Sequence, residues 1–561
     1  MMRAAVRALL PCFVLHLCGC GSDEPAPAPF LFVDVTAASG VEFEHVNGAH
    51  GHRQLPETMG GSAAWFDLEN DGDFDLFLGQ SGELPGVDRG TSGRSAVFSN
   101  DGGRFRDVTA TALPVADLGY GQGVAVGDVH GDGFEDVYVT NFGPNVLLSN
   151  RSGRLVDSTA ELGGGDPSWS ASAVFFDKEG DGDLDLFVTN YVEYDLRAAL
   201  ALSPRGEGFI AYPHPDRFRA AADVLYENDG AGHLRDVTRD AGIRDVDGKG
   251  LGVVAADLDL DGDQDLYVAN DSTPNFLFRN QGDGTFVDVS SDSNAAYDVN
   301  GRTQAGMGVT VGDADLDGRF DLFVTNLDQE TNTLYRQVDT LVFEDATLPR
   351  GLGVVSLPFV GFGTAFVDLD LDADEDLFVT NGHIIDNVET IQPGTPVTFL
   401  QRCLVFENDG KGVFGELGPR LAPALAQRRA GRALALCDVD GDLDLDALIA
   451  QNAASAVLLR NDGTRVGRPL CVHVVGRSGA PARGAVVEVS VDGQVQRRIV
   501  GQPGSYCAAN DPRAFFGVSR DPEFVAIRWQ DGARTELKGV PAGTAIRVGP
   551  DGGFVIEPTS R

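Results

Sequence analysis

Five of the nine residues from Asp257 to Asp265, DLDLDGDQD, are aspartate. Carboxylates this close repel one another, and no basic residue lies among them. The segment is one of seven. The others begin at Asp67, Asp128, Asp177, Asp313, Asp368 and Asp438, at intervals of 49 to 80 residues. Aspartate holds the first, fifth and ninth positions of every copy. In chain order these are Asp67, Asp71 and Asp75; Asp128, Asp132 and Asp136; Asp177, Asp181 and Asp185; Asp257, Asp261 and Asp265; Asp313, Asp317 and Asp321; Asp368, Asp372 and Asp376; and Asp438, Asp442 and Asp446. The third position is Glu69, His130, Glu179, Asp259, Asp315, Asp370 or Asp440. Alternating acids in a tight turn converge on one centre. Only a cation makes that favourable, and hard carboxylate oxygens select calcium over zinc or copper. A single copy reads equally well as a solvated acidic turn; seven in register point to calcium. The sixth position is glycine in the first five copies, as a turn with positive φ requires. Ala373 and Leu443 replace it in the last two, and His130 is a poor calcium ligand. The expectation is weaker occupancy in the second, sixth and seventh copies than in the fourth and fifth.

An EF-hand begins similarly but needs a bidentate glutamate at loop position twelve and a helix beyond it. Here that position is Leu78, Val139, Val188, Val268, Val324, Val379 or Ile449, inside short β-branched and aromatic runs such as DLFV and DLYV. These are strand signals. A small-residue strand such as GQGVAVGD precedes each acidic loop, and a strand, Asn/Gly turn and strand follow, as in NFLFRNQGDGTFVDVS. The unit is four strands, A to D, with the acidic loop between A and B. Seven such units predict an all-β fold, a seven-bladed β-propeller over residues 30–465. The seventh unit lacks a strand D, whereas FLFVDVT, Phe30 to Thr36, precedes the first strand A and belongs to no complete blade. Pairing Phe32–Val35 with Val457–Arg460 closes the ring. Residues 466–561 hold further strand candidates separated by Gly, Pro and Asp and predict a small C-terminal β-domain; the alternative is extra strands on the propeller.

GVAVGDVHGDGFEDVYV resembles FG-GAP and VCBS-type repeats, as in the integrin α-subunit propeller. The opening FVDVTAASGVEFEH and the tail segments PARGAVVEVSVDGQ, GSYCAANDPRAFFGV and VAIRWQDG resemble the ASPIC/UnbV, cartilage acidic protein-like, family over roughly residues 30 to 550. The resemblance implies the propeller and calcium binding. It implies little about activity.

The formal charge is −41, from 84 acidic and 43 basic residues. Phosphate binding needs a basic surface, so nucleic acid is excluded as a partner. Residues 1–20 read as a secretory signal, with Arg3 and Arg7 before a short apolar run. LCGC, Leu17 to Cys20, resembles the bacterial lipobox, which implies acylation of Cys20; the alternative is an ordinary signal peptide. Residues 21–29, rich in Pro and Ala, suit a tether. Gly21 stands where an inner-membrane retention aspartate would, so the expected location is the outer membrane or cell surface, with contact to the membrane only through the lipid. Export permits disulfides. Cys403–Cys437 and Cys471–Cys507 keep each pair within one region; buried free thiols are the alternative.

Strand parity puts the acidic loops on one face and three long insertions, Ala37–Gly60, Tyr191–Ala222 and Gly382–Arg402, on the other. Long loops on a rigid scaffold commonly carry function. His45, His50, His52, His214 and His383 map to that face, with Tyr212 and Arg217. The histidines are metal ligands, general bases or solvated loop residues, and the spacing H-x4-H-x-H fits no zinc pattern. No G-x-S-x-G, H-E-x-x-H or phosphate loop occurs. The expected role is a calcium-stabilised lipoprotein that binds a protein or glycan through the insertion face. The alternative is a glycan lyase or hydrolase on the same scaffold, with Tyr212, His214, Arg217 or Arg219 at its site.

Overall fold

A computed structural model describes residues 31–558, apart from 88–92, 116, 207–208, 245–246 and 418–422. The signal, the tether and Cys20 lie outside the described residues. Seven four-stranded antiparallel meanders follow one another. The second comprises Gly121–Gly127, Asp136–Asn141, Val146–Asn150 and Leu155–Asp157, and the fourth Gly250–Ala256, Asp265–Asn270, Phe276–Asn280 and Phe286–Asp288. In these two blades the A strands are buried at every position, while the three-residue D strands expose two of three. Each A strand lies beside the next around a complete circle: Ser62–Phe66 sits between Gly121–Gly127 and Gly431–Cys437. This is a seven-bladed β-propeller.

Small residues on the A strands follow from crowding at the hub. A Cβ at Gly123 would meet the Ala171 carbonyl at 2.2 Å, and one at Gly308 would meet that of Phe362 at 2.1 Å. The hydrophobic core is a set of radial layers between blades. Phe66 and Phe77 of the first blade pack on Val126 and Leu148 of the second, and Phe176 and Phe187 of the third on Leu266 and Phe278 of the fourth.

The ring closes between the chain's two ends. Phe32–Asp34 pairs with Val457–Asn461 in the register Phe32↔Asn461, Val33↔Arg460, Asp34↔Leu459. Phe32 is buried against Phe378, with ring centroids 5.4 Å apart.

The tail forms two sheets with a core of their own, including Leu470, Val472, Val487, Phe516 and Ile546. One hairpin leaves this core and enters the propeller channel. Ala508–Ala509 runs parallel to Ala63–Ala64, and Gly504–Ser505 antiparallel to Val309–Thr310. Tyr506, at its tip, is fully buried, and its ring lies 5.0 Å from that of Phe362. The tail thus both folds as a module and adds strands to two blades. The expected disulfides are absent: Cys403, Cys437, Cys471 and Cys507 are free and buried. Neither expected pair shares a core: Cys403 and Cys471 lie in the cluster between the sixth and seventh blades, Cys437 in that between the seventh and the first, and Cys507 in the channel. Cys437 donates to the Asp511 carboxylate at 3.4 Å, and Cys507, at the hairpin tip, to the Ala171 carbonyl at 3.5 Å. No helix among the described residues is long and apolar enough to cross a membrane.

Candidate cation loops and insertion face

The seven acidic loops share one backbone. Position one accepts from two amides further along: Asp257 from Asp261 N–H and Gly262 N–H, both at 3.0 Å, and Asp67 from Asp71 at 2.9 Å and Gly72 at 2.8 Å. Positions four and six both lie in the left-handed region throughout. Leu260 has φ 59° and Gly262 φ 109°; Ala373 and Leu443 hold 91° and 71°. The departures from glycine therefore keep the turn, at some backbone strain.

Position nine also braces the loop. Each of its oxygens already accepts a backbone amide, one within the loop and one from strand C. Asp265 accepts from Leu258 at 3.3 Å and Asn280 at 2.9 Å, and Asp446 from Val439 at 3.1 Å and Asn461 at 2.8 Å. The same pair of bonds holds Asp75, Asp136, Asp185, Asp321 and Asp376. These aspartates staple loop to blade, as position one does through its own two amides, and in four loops the carboxylates that converge are those of positions one, three and five. Carboxylate oxygens of Asp257, Asp259 and Asp261 lie within 4.8 Å of one another, as do those of Asp313, Asp315 and Asp317, of Asp368, Asp370 and Asp372, and of Asp438, Asp440 and Asp442. In the third loop Asp177, Glu179 and Asp185 converge instead; the first two loops form no such trio among the described residues.

Electrostatics separates these loops. Burial, then neighbouring carboxylates, pushes Asp259 up to about 6 and Asp370 to about 7; burial likewise lifts Asp257 and Asp368 to about 7. Asp259 Oδ1 is buried without a hydrogen-bond partner. A divalent cation reverses both penalties, so the donor set fits a hard ion. Basic side chains reach other loops. Arg336 and Arg350 meet Asp315 Oδ2 at 2.5 and 3.1 Å, Arg465 meets Asp442 at 2.5 Å, and Lys178 pairs with Glu179. In the second loop His130 Nδ1 lies 2.9 Å from Asp136, and Arg151 lies 3.8 Å from Asp132. No ion pair reaches the three converging acids of the fourth or the sixth loop among the described residues. The arginines that reach the fifth loop come from strand C of its own blade and from the turn after strand D, outside the nine residues whose acids the sequence counts.

On the opposite face the three insertions meet. Arg53 forms an ion pair with Asp386 at 2.9 Å, and Gln54 Nε2 donates to the Leu196 carbonyl at 3.1 Å. Leu55 N–H donates to Tyr194 Oη at 3.0 Å, and Asn387 Nδ2 to the Ile210 carbonyl at 3.4 Å. Tyr212 is half-buried beneath the Arg53 guanidinium. His214 and Arg217 are exposed on a short 3-10 turn, and His50 and His52 pack edge to face, 4.8 Å apart. Two histidines depart from the expected surface role. His45 is buried; Ala453 N–H donates to its Nδ1 and its Nε2 donates to Ser81, and burial lowers its pKa to about 3. His383 is buried between Asp328 and the Ile385 amide. Both are internal struts. Sequence reasoning missed Arg432, fully buried at this end of the channel, where it donates to the carbonyls of Thr58, Gly382 and Gly431. Its setting in RALALC carried no signal.

Fold and loops together define a seven-bladed propeller of acidic-loop repeats carrying a C-terminal β-module. Residues 67–139, 128–188 and 257–324 match the FG-GAP-like repeat, and residues 476–553 match ASPIC and UnbV. The chain is similar to cartilage acidic protein 1 of Homo sapiens, 27% identical over 508 residues that cover 85% of this chain and 70% of that one. It is also similar to the Mus musculus protein of that name, 27% identical over 563 residues that cover 95% and 78%. Among solved structures it resembles an Agrocybe aegerita protein that recognises non-reducing terminal N-acetylglucosamine, at 16% identity and TM-score 0.39 over 71% of this chain and 87% of that one. It likewise resembles a Bacillus licheniformis rhamnogalacturonan lyase, at 12% identity and TM-score 0.35 over 78% and 76%.

Proposed function

We propose that this protein is an exported, calcium-stabilised interaction module, anchored by a lipid at Cys20, that binds an extracellular protein or glycan through its insertion face. The observation that carries the reading is the convergence of the three insertions. Segments more than a hundred residues apart in sequence are tied together by the Arg53–Asp386 pair and the Gln54–Leu196 and Leu55–Tyr194 hydrogen bonds. Ordered loops on a rigid scaffold lower the entropic cost of binding. Calcium in the acidic loops would hold the opposite face and leave this one for a partner. The chain's FG-GAP-like repeats and ASPIC/UnbV segment support an interaction role.

The test immobilises the full chain in millimolar calcium and screens extracellular proteins and glycans. Arg53→Glu and Tyr212→Ala should each weaken a specific ligand at least tenfold, and a charge reversal on the exposed face of the tail, Arg477→Glu, should not. Binding lost through Arg477→Glu and kept in the other two would move the site to the opposite face.

A further inference from the structure

Beside the meeting point of the insertions lies a groove of about 870 Å³, walled by the first three blades. That volume suits a small ligand or one to a few units of a polymer. Its floor is aromatic. Phe142 packs edge to face on Trp169 at 5.3 Å and on Tyr194 at 6.0 Å, and Trp169 on Tyr194 at 5.4 Å. Its rim is polar and nearly neutral: the charged lining residues are Glu193, Asp195 and Arg197, in a chain of net charge −41.

One rim group is held from behind. The Gly48 carbonyl, which can only accept, lies 3.2 Å from His50 Nδ1, so that nitrogen carries the proton and Nε2 is left as an acceptor. Behind the ring stands Glu57, 1% exposed, with Oε1 lacking any hydrogen-bond partner and lying 3.6 Å from the same nitrogen. Two side-chain amides, of Asn47 and Asn452, fix the Glu57 backbone by donating to its carbonyl at 2.9 and 3.0 Å. The Gly48 carbonyl and Glu57 thus hold the imidazole from behind, and the ring lines the groove.

We propose that this groove is the ligand site of the insertion face and that its ligand is a saccharide, recognised by ring stacking on the aromatic floor and by hydroxyl hydrogen bonds to His50 Nε2, Glu193 and Arg197. The proposal rests on the insertion-face reading and narrows it. A pyranose presents an apolar C–H face with hydroxyls around its edge, which is the complement of an aromatic floor inside a rim of planar donors and acceptors. A purely apolar ligand would strip water from His50, Glu193 and Arg197 and return nothing. Among the described residues a strongly basic peptide would find two acids here, beside an arginine.

The probes are defined neutral and uronate oligosaccharides, titrated calorimetrically into the calcium-loaded full chain. One class should bind saturably, and His50→Ala, on a loop, and Arg197→Ala, exposed in the first turn of the helix Leu196–Leu202, should each weaken it at least tenfold. Arg235→Ala, on the outer strand of the third blade, should leave it unchanged. Saccharide binding that survives both groove substitutions but falls with Tyr212→Ala overturns the groove and leaves the insertion-face reading standing. Absence of saccharide binding, with a protein partner still bound at that face, overturns the saccharide alone. Saccharide binding lost only through Trp529→Ala, in the tail module, overturns both.

Discussion

The side-chain amide of Asn100 donates to the main-chain carbonyl of Val439 at 3.1 Å and so joins the first blade to the seventh. The contact is one of seven. Asn150 reaches Leu68, Asn228 Val129, Asn280 Lys178, Gln337 Leu258, Asn408 Ala314 and Asn461 Leu369, at 2.8 to 3.0 Å. In every case the amide at the end of strand C meets the second residue of the preceding blade's acidic loop. The ring is thus hydrogen-bonded round its whole rim, and each acidic loop is gripped from both sides.

Removing one grip should be felt globally. Asn280→Ala leaves the Lys178 and Gln264 carbonyls without their donor in a buried site. The expected loss is about 1–3 kcal/mol, read as a lower urea midpoint. A midpoint unchanged within error would mean that the blades hold together without these amides.

Closure should depend on Phe32. Its burial predicts that Phe32→Ala costs roughly 3–5 kcal/mol. A chain beginning at Ser39, which lacks the whole strand, should melt well below the full chain in differential scanning calorimetry. Equal melting would refute the pairing of the two ends.

Calcium removal should act unevenly. At about 100 times its dissociation constant each independent site adds roughly 2.7 kcal/mol, so chelator should lower the melting temperature. Asp259→Asn should reduce bound calcium, measured by elemental analysis, by one equivalent. Asp315→Asn should change it little, because Arg336 and Arg350 already neutralise that carboxylate. Equal losses in the two variants would show that the arginines give way to the metal.

Glu57 predicts a pH dependence. Burial raises its pKa from 4.5 to about 7. Between those values the unfolded chain has released the proton and the folded chain retains it, so stability falls as pH rises through that window. Glu57→Gln, which keeps the shape without the charge, should be more stable than the parent at pH 8 by up to roughly 3 kcal/mol and no more stable at pH 4. Denaturant titrations at both values decide it; a gain of equal size at pH 4 would locate the cause in packing.

The four late thiols should be silent until the chain unfolds. Burial pushes Cys403 up to about 11 and Cys507 to about 12. A thiol reagent should label none of the four in the native protein and all four in denaturant, and reductant should leave the melting temperature unchanged. Fewer than four labelled in denaturant without reductant would restore a disulfide.

The propeller was legible because its signals are local and repeated. Alternating acids, a glycine turn and a β-branched run state the same unit seven times, and the orphan strand at Phe32 announces the closure. The roles of single members were less legible. Asp261 and Asp265 are the same residue type four positions apart, yet only the second ties its loop to strand C. His45 and His50 lie five positions apart in one loop; which is entombed depends on Ser81 and Ala453, which arrive from elsewhere. The channel hairpin carried no such signal: GSYCAAND was legible only as part of the tail's family resemblance.

The closing strand is among the first segments to be made, and its partner among the last of the ring: Thr36 and Leu458, which meet in a hydrogen bond, are 422 residues apart. At ordinary synthesis rates that gap lasts roughly 20 to 80 s. As it passes, the blades accumulate as an open arc with bare flanks, and the channel hairpin that bolts them together has yet to emerge. Nascent arcs of this kind can join edge to edge with their neighbours on the same message. The acidic rim is complete blade by blade, ahead of any ring, and a net charge of −41 drives such arcs apart. The carboxylates that would gather cations in the finished ring would thus first keep unfinished arcs from one another.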